Sequence, residues 1–360
     1  MDFCDVFDDV TKEGRKLQTS EYLENGLHPI YDQGQNEVAG YTNETEGLFT
    51  NTPVILFGDH TRVVKYVDTP CFLGADGVKL LKPKIQNVNA KYLFYAVRSV
   101  QIPNTGYNRH FKWLKEATIS IPAKEEQDKI VAILDETNHL ISLRKNQLQK
   151  LDDLIKARFV EMFGDPMTND KGYELKRYGD VFELNAGGTP SKTHPEYWEG
   201  GTISWIGSNM CQDRYIYEND GKFITQKGYD NSSARLFPID TVLVALVGAT
   251  IGKTALLKFE TTTNQNVLGI RGIRESGYLP EFVYYYTQGL YKKFIGISDG
   301  GFSMASKGFI SELPIPIVPL ALQEEFTGFA DQVDKSKLSI QQGLEKLETL
   351  KKSLMQQYFG

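Results

Sequence analysis

A chain of 360 residues with 41% hydrophobic and 24% charged residues has the composition of a globular protein of about two domains, and no apolar run is long enough to span a membrane. The net charge of −6 taken alone speaks against a nucleic-acid partner, but the charge is segregated. Residues 1–50 hold 3 Lys/Arg and 11 Asp/Glu, whereas residues 51–120 hold 10 and 4, so a basic face can exist on an acidic protein.

From the start, Met1-Asp-Phe-Cys-Asp5 lacks the basic and apolar parts of a signal peptide. Cys4, Cys71 and Cys211 are odd in number and far apart, which suits neither a disulfide framework nor a zinc site and points to a reducing, cytoplasmic setting. Short β-branched or aromatic runs separated by Gly, Asn and Asp predict strands at 53–57, 62–67 and 77–81, then at 202–206, 241–247, 253–257 and 266–270. Helices are expected at 89–97 and 279–286, with Pro280 suited to a first turn.

Two stretches organise the rest. Residues 127–164 and 323–360 match at an offset of 196, at Gln127/Gln323, Asp135/Asp331, Leu148/Leu344, Lys150/Lys346, Leu151/Leu347, Leu154/Leu350 and a shared Phe-Gly ending. Each follows a Pro-containing lead-in, Ile119–Pro122 and Leu313–Pro319, and neither contains an internal proline. Apolar residues recur at three and four: Ile141, Leu148, Leu151 and Ile155 in the first, Ile340, Leu344, Leu347 and Leu354 in the second. That pattern is the seam of an amphipathic helix, here roughly 55 Å long. So narrow a stripe on so long a helix needs another helix, and the chain carries two copies, expected to pair. The repeat reaches further: Asp5-Val-Phe-Asp8 is echoed by Asp180-Val-Phe-Glu183, and Tyr92–Val97 by Phe282–Thr287. The fold class expected is α+β: two mixed α/β domains separated by two long helices in an antiparallel coiled coil, as a pseudo-two-fold internal repeat. The expected boundaries are 1–122, 123–165, 166–319 and 320–360.

Enzymatic motifs are weak. Gly248-Ala-Thr-Ile-Gly-Lys-Thr254 follows a strand-like run, but a phosphate-cradling P-loop needs one residue more and a helix after it. Residues 255–263 read as strand, so a glycine hairpin carrying an exposed Lys253 is expected instead. The five histidines show no metal-ligand spacing. Glu174-Leu-Lys176 has a nuclease-like spacing that chance alone supplies, and no active site is evident.

Polar loops are better candidates, for DNA. Asn104–Trp113 interleaves aromatics with cations and offers Tyr107, Asn108, Arg109, His110 and Lys112; the loop before the second long helix offers Ser303, Ser306 and Lys307. Gln33 and Gln35, and Ser208 and Asn209, lie in polar loops after apolar runs, while Arg62, Lys65 and Lys253 add positive charge. Lys and Arg can hold phosphates, and Asn, Gln, Ser and Arg can read base edges in the major groove. A coiled-coil adaptor that binds proteins rather than DNA is the alternative, and the basic 51–120 segment opposes it.

The ordered set resembles the specificity subunit of type I restriction-modification systems over nearly the whole length. The resemblance rests on Ile121-Pro-Ala-Lys-Glu-Glu-Gln127 and Val318-Pro-Leu-Ala-Leu-Gln-Glu-Glu325 with their helices, on Ser20–Gly26 through Gly34, on Gly187-Gly-Thr-Pro-Ser191 with Gly200–Ile206, and on the Gly248–Lys253 turn. It implies two target-recognition domains, each reading half of a bipartite site in double-stranded DNA, with the helices setting the gap. It also implies no catalytic residue, metal or cofactor in this chain. Two methyltransferase subunits would use S-adenosylmethionine on adenine N6, and restriction subunits would use ATP and Mg, in a bacterial or archaeal cytoplasm.

Overall fold

The structure is a computed structural model that describes residues 1–74, 76–106, 108–296 and 304–360. The chain forms two compact units, residues 1–146 with 341–360, and residues 147–340. The expected boundaries gave each long helix a segment of its own; the compact units instead divide each helix near its middle.

In the first unit an antiparallel sheet runs in the order Phe7–Asp9, Val78–Pro83, Val54–Gly58, Val64–Val67. Val54–Gly58 is buried at every residue, which explains a central strand written as a continuous apolar run rather than an alternating one. Helix Ala90–Ser99 follows, its start fixed by the Asn89 side chain, which accepts from the Lys91 and Tyr92 N–H groups. A smaller sheet holds Gly40–Thr42, His28–Tyr31 and Phe72–Leu73, and the last two strands run parallel.

The second unit has a five-stranded sheet in the order Arg214–Ile216, Thr254–Leu257, Val242–Ala245, Val267–Arg271, Glu183–Ala186. A second sheet is ordered Phe223–Ile224, Ile203–Ile206, Thr261–Thr263, Leu236–Phe237. Helix Pro280–Gly289 has its proline in the first turn, as expected. The lead-in to the second long helix is itself a strand: Pro314–Pro316 pairs antiparallel with Leu175–Arg177. In the first unit the same place is taken by residues 118–119, where Asp2 bridges Thr118 and the Ile119 N–H donates to the Met1 carbonyl at 2.8 Å. The Asp-Val-Phe echo also holds: a one-turn helix, Phe3–Val6 or Tyr178–Val181, leads into the strand Phe7–Asp9 or Glu183–Ala186.

The two long helices are Lys124–Phe163 and Leu320–Phe359, 40 residues each, about 60 Å of helix apiece. Within each unit their halves run antiparallel. Lys145 pairs with Glu348 in the first unit; in the second, Asp152 pairs with Lys337 and Arg158 with Glu325. Of the expected seam residues, Ile141, Ile155 and Leu344 are buried, and Leu148, Leu151, Ile340, Leu347 and Leu354 are half-buried. The shared Phe-Gly ending acquires a physical reason here. Phe163 ends the first helix inside the second unit's core, edge-on to Phe282 at 4.9 Å; Phe359 ends the second helix half-buried against the first unit's core, beside Tyr92 at 5.3 Å. Each helix therefore completes the core of the unit to which its own N-terminal half does not belong; the buried Phe163 contributes about 1.5–3 kcal/mol and the half-buried Phe359 less.

A second repeated device is polar. Gln127 and Gln323 are 1% and 0% exposed, and each joins its long helix to the start of a shorter one. Gln127 accepts from the Asn89 N–H at 2.9 Å and donates to the Pro122 carbonyl at 2.8 Å. Gln323 accepts from the Leu279 N–H at 2.8 Å and donates to the Val318 carbonyl at 2.9 Å. Asn89 and Leu279 cap equivalent helices, so one amide side chain satisfies an orphan N–H at the same place in both units. Among the described residues no helix is long and apolar enough to cross a membrane.

Candidate nucleic-acid interface

In the first unit, loops far apart in sequence are tied together at the Gly58/Val78 end of the sheet. Gln33 donates from Nε2 to the Asp76 carbonyl at 3.1 Å and accepts at Oε1 from the His60 N–H at 3.2 Å; the Thr61 hydroxyl donates to the Gln33 carbonyl at 2.7 Å. The His60 ring Nδ1 lies 3.2 Å from the Asn108 carbonyl. Gly77 allows this closeness: its φ of +86° suits glycine, and a Cβ there would meet the His60 ring at 2.7 Å. These hydrogen bonds tie four loops to one another, the kind of support a reading group needs.

On or next to these loops Gln35, Asn108, Arg109 and Lys112 are exposed. Lys112 lies over the Trp113 ring at 4.2 Å, which restrains its ammonium without neutralising it. The Lys16 ammonium, 2.6 Å from Asp76, holds that carboxyl below its usual range, and Arg109 adds to the effect. Arg62 has a left-handed backbone (φ 61°) and reaches the Ile102 carbonyl at 3.4 Å.

Two candidates of this unit are placed in the interior. His110 is 1% exposed; its N–H and Nδ1 both meet the Asp59 carbonyl, at 2.8 and 3.0 Å, while the Phe111 N–H donates to the Asp59 carboxylate at 2.7 Å. It anchors the 104–109 loop and presents no edge to a ligand. Lys65 is 6% exposed, and its pKa is lowered by burial even though Asp32 stands 3.4 Å away. Tyr107 lies outside the described residues.

In the second unit, Ser208 and Asn209 line a cleft of about 900 Å³ with Trp198, Trp205, Phe223 and Asn264. Trp198 and Trp205 meet edge to face at 5.2 Å, and the indole N–H of Trp205 donates to the Gly188 carbonyl at 3.1 Å. Gly188 lies against the Ser233–Ala234 backbone with no room for a Cβ, which accounts for the Gly187-Gly-Thr-Pro motif as tight packing beneath the cleft. Lys192 and Lys222 also line it. Aromatic faces with amide and hydroxyl groups beside them suit nucleobases.

The remaining candidates do other things. Val242–Ala245 and Thr254–Leu257 form the expected hairpin around Gly248, with no helix after it to face a phosphate. Lys253 is not the free cation expected at its tip: it is half-buried and bonded to Asp213 at 2.6 Å, a contact that raises its pKa, and it lies over the Tyr291 ring. Ser306 caps helix Lys307–Ser311 by accepting from the Phe309 N–H at 3.1 Å, and Lys307 is exposed. Ser303 lies outside the described residues. Sequence reasoning passed over Asp59, His60 and Asp76 in the first unit, and Trp198, Phe223 and Asn264 in the second. The polar Asp59-His-Thr61, one glycine after the apolar 53–57 run, was the available signal in the first unit.

The family model of the type I restriction modification DNA specificity domain matches residues 2–153 and 170–351. The EcoR124I/EcoR124II specificity subunit of Escherichia coli, a type I restriction enzyme subunit, is 24% identical over 360 residues, covering 95% of this chain and 88% of the relative. The MjaIX specificity subunit of Methanocaldococcus jannaschii is 32% identical over 185 residues, 49% of this chain and 42% of that one. Among solved structures, the S subunit of a type I restriction-modification system from M. genitalium shares the fold, with a TM-score of 0.60 at 16% identity over 100% of this chain and 95% of the other.

Proposed function

The chain belongs to the type I restriction-modification DNA specificity family, and from that premise we propose that its two units each read one half of a bipartite site in double-stranded DNA. One observation supports this above the others: each unit of a duplicated chain presents exposed amide groups on anchored loops, Gln35 and Asn108 in one and Asn209 in the other. In the first unit Arg109 and Lys112 hold phosphates and fix register, while Gln35 and Asn108 face base edges. In the second, Ser208, Asn209 and Asn264 discriminate bases beside the Trp198–Trp205 pair. The adaptor alternative has no support from the relatives.

The paired helices set the distance between half-sites and dock two methyltransferase subunits, to which restriction subunits add. Methyl transfer from S-adenosylmethionine to adenine N6, and ATP- and Mg-dependent restriction, are the work of those partners; this chain supplies the address. The test is genome-wide mapping of modified adenines in cells holding the candidate methyltransferase subunit from the same locus, with and without this chain. A two-part motif of fixed gap that disappears with the chain is the expected result. Modification that does not depend on the chain, in the presence of an assembled complex, would overturn the proposal.

A further inference from the structure

The two units differ where they should be alike. In the first unit a groove of about 1120 Å³ opens between the end of helix Ala90–Ser99 and the C-terminal half of the second long helix. Arg98, Lys145, Lys351 and Lys352 stand on it, with Glu348 as the acidic side chain. Glu348 is taken by Lys145 at 3.0 Å. Lys351 has no ion pair of its own among the described residues, and its pKa is lowered by burial, then by Arg98 and Lys145, with Glu348 opposing them in part. At the offsets of the internal repeat, Lys351 corresponds to Ile155, Met355 to Phe159 and Arg98 to Gln288. Ile155 and Phe159 are 1% and 4% exposed and belong to the second unit's core. At the position of Lys351 one copy of the repeat therefore places a buried hydrocarbon side chain and the other an ammonium, while the groove's Ile141 corresponds to Lys337, which is paired with Asp152.

A half-buried ammonium beside two other cations, with Glu348 shared with Lys145 as the acidic side chain of the groove, gains from further negative charge. The groove is larger than the usual 300–1,000 Å³ of small-molecule sites, and its floor is apolar, with Ile119, Ile141 and Met355. A DNA backbone would meet the cations but leave that floor uncovered. An amphipathic helix laid in the groove would meet both, apolar face down and carboxylates toward the rim. We infer that this groove receives an acidic amphipathic segment of the protein partner docked on the first unit, so that the two docking positions of the chain are unequal. The inference rests on the methyltransferase-docking part of the proposed function.

The experiment gives unit 1 the residues that unit 2 already has. Full-length chains carrying Lys351→Ile, and Arg98→Gln with Lys351→Ile, are titrated with the candidate methyltransferase subunit from the same locus. Native mass spectrometry follows stoichiometry and affinity across a salt series, and thermal unfolding is measured alongside. The expected result is that one of two bound subunits is held at least about tenfold more weakly, the modest end for an interfacial charge partner. The other subunit is unaffected, and thermal stability is unchanged or higher. Two subunits bound as tightly as by the unsubstituted chain would overturn the inference while leaving the proposed function intact. Lower thermal stability of Lys351→Ile would mean that the ammonium serves the fold, and would also overturn it. Unchanged subunit binding with weaker DNA affinity of the assembled complex would assign the groove to DNA instead. Failure of the unsubstituted chain to bind any methyltransferase subunit would remove the proposed docking and the inference together.

Discussion

Replacing Gln323 by Leu keeps roughly the side-chain volume and deletes its two short hydrogen bonds together with a longer one, from Nε2 to the Gly277 carbonyl at 3.4 Å. The Leu279 N–H, 2.8 Å away, and the Val318 carbonyl, 2.9 Å away, both lose a partner beside a side chain with no exposed surface. A buried polar group left unpaired costs about 1–3 kcal/mol, so two cost about 2–6 kcal/mol. The apolar gain of leucine offsets part of this, and about 3 kcal/mol of net destabilisation of the second unit is expected, roughly a hundredfold in its folding equilibrium. Hydrogen exchange resolved by peptide is the suitable assay, because it reports each unit separately. Amides of helix Pro280–Gly289 should exchange roughly a hundredfold faster, while helix Ala90–Ser99 keeps its protection. Gln127→Leu should give the mirror result, since its distances to the Asn89 N–H and the Pro122 carbonyl are 2.9 and 2.8 Å. A loss below about 0.5 kcal/mol in both variants would refute the idea that these two glutamines are the fixed joints between long and short helices.

Three further expectations concern binding, spacing and reactivity. Arg109→Ala and Lys112→Ala should each weaken DNA binding by the assembled complex and reduce the slope of log affinity against log salt by about 0.9 for each phosphate no longer neutralised; unchanged affinity and slope would take them out of the interface. Inserting seven residues into both long helices, after Asn146 and after Ile340, adds about 10 Å of helix. The tolerated gap between half-sites should lengthen by about three base pairs with neither half-site altered, and an unchanged gap in mapped sites would contradict the helices' spacing role. Cys71 and Cys211 are buried, and burial pushes both thiols up to about 12. Maleimide at pH 8 should therefore label Cys4 alone in the native chain and all three cysteines in denaturant, as counted by mass spectrometry.

Much of the architecture was legible because it is written in periods. Apolar residues at three and four gave the long helices, unbroken runs such as 53–57 gave central strands, and the offset of 196 gave the duplication. What stayed hidden depends on distant residues meeting. Pro314-Ile-Pro316 was legible only as part of a Pro-containing lead-in, since proline removes ladder donors, yet it pairs with Leu175–Arg177 in a two-stranded sheet. The Gln127/Gln323 match was visible as a letter, but its role needed Asn89 and Leu279 beside it. His110, in a polar loop among cations, looked like a surface group; only Asp59, 51 residues earlier, makes it an anchor. The shared Phe-Gly ending suggested a pair, but not that each phenylalanine completes the opposite unit.

The most direct measurement is a map of modified adenines from cells carrying the methyltransferase subunit with one of two altered chains. One chain has the exposed amide and guanidinium at Asn108 and Arg109 replaced by alanine; the other has Ser208 and Asn209 replaced. If the two units read separate half-sites, the first chain relaxes or abolishes only one half of the two-part motif and the second only the other. If either chain changes both halves together, or if the unaltered chain yields one uninterrupted motif, the division of the site between the units is wrong.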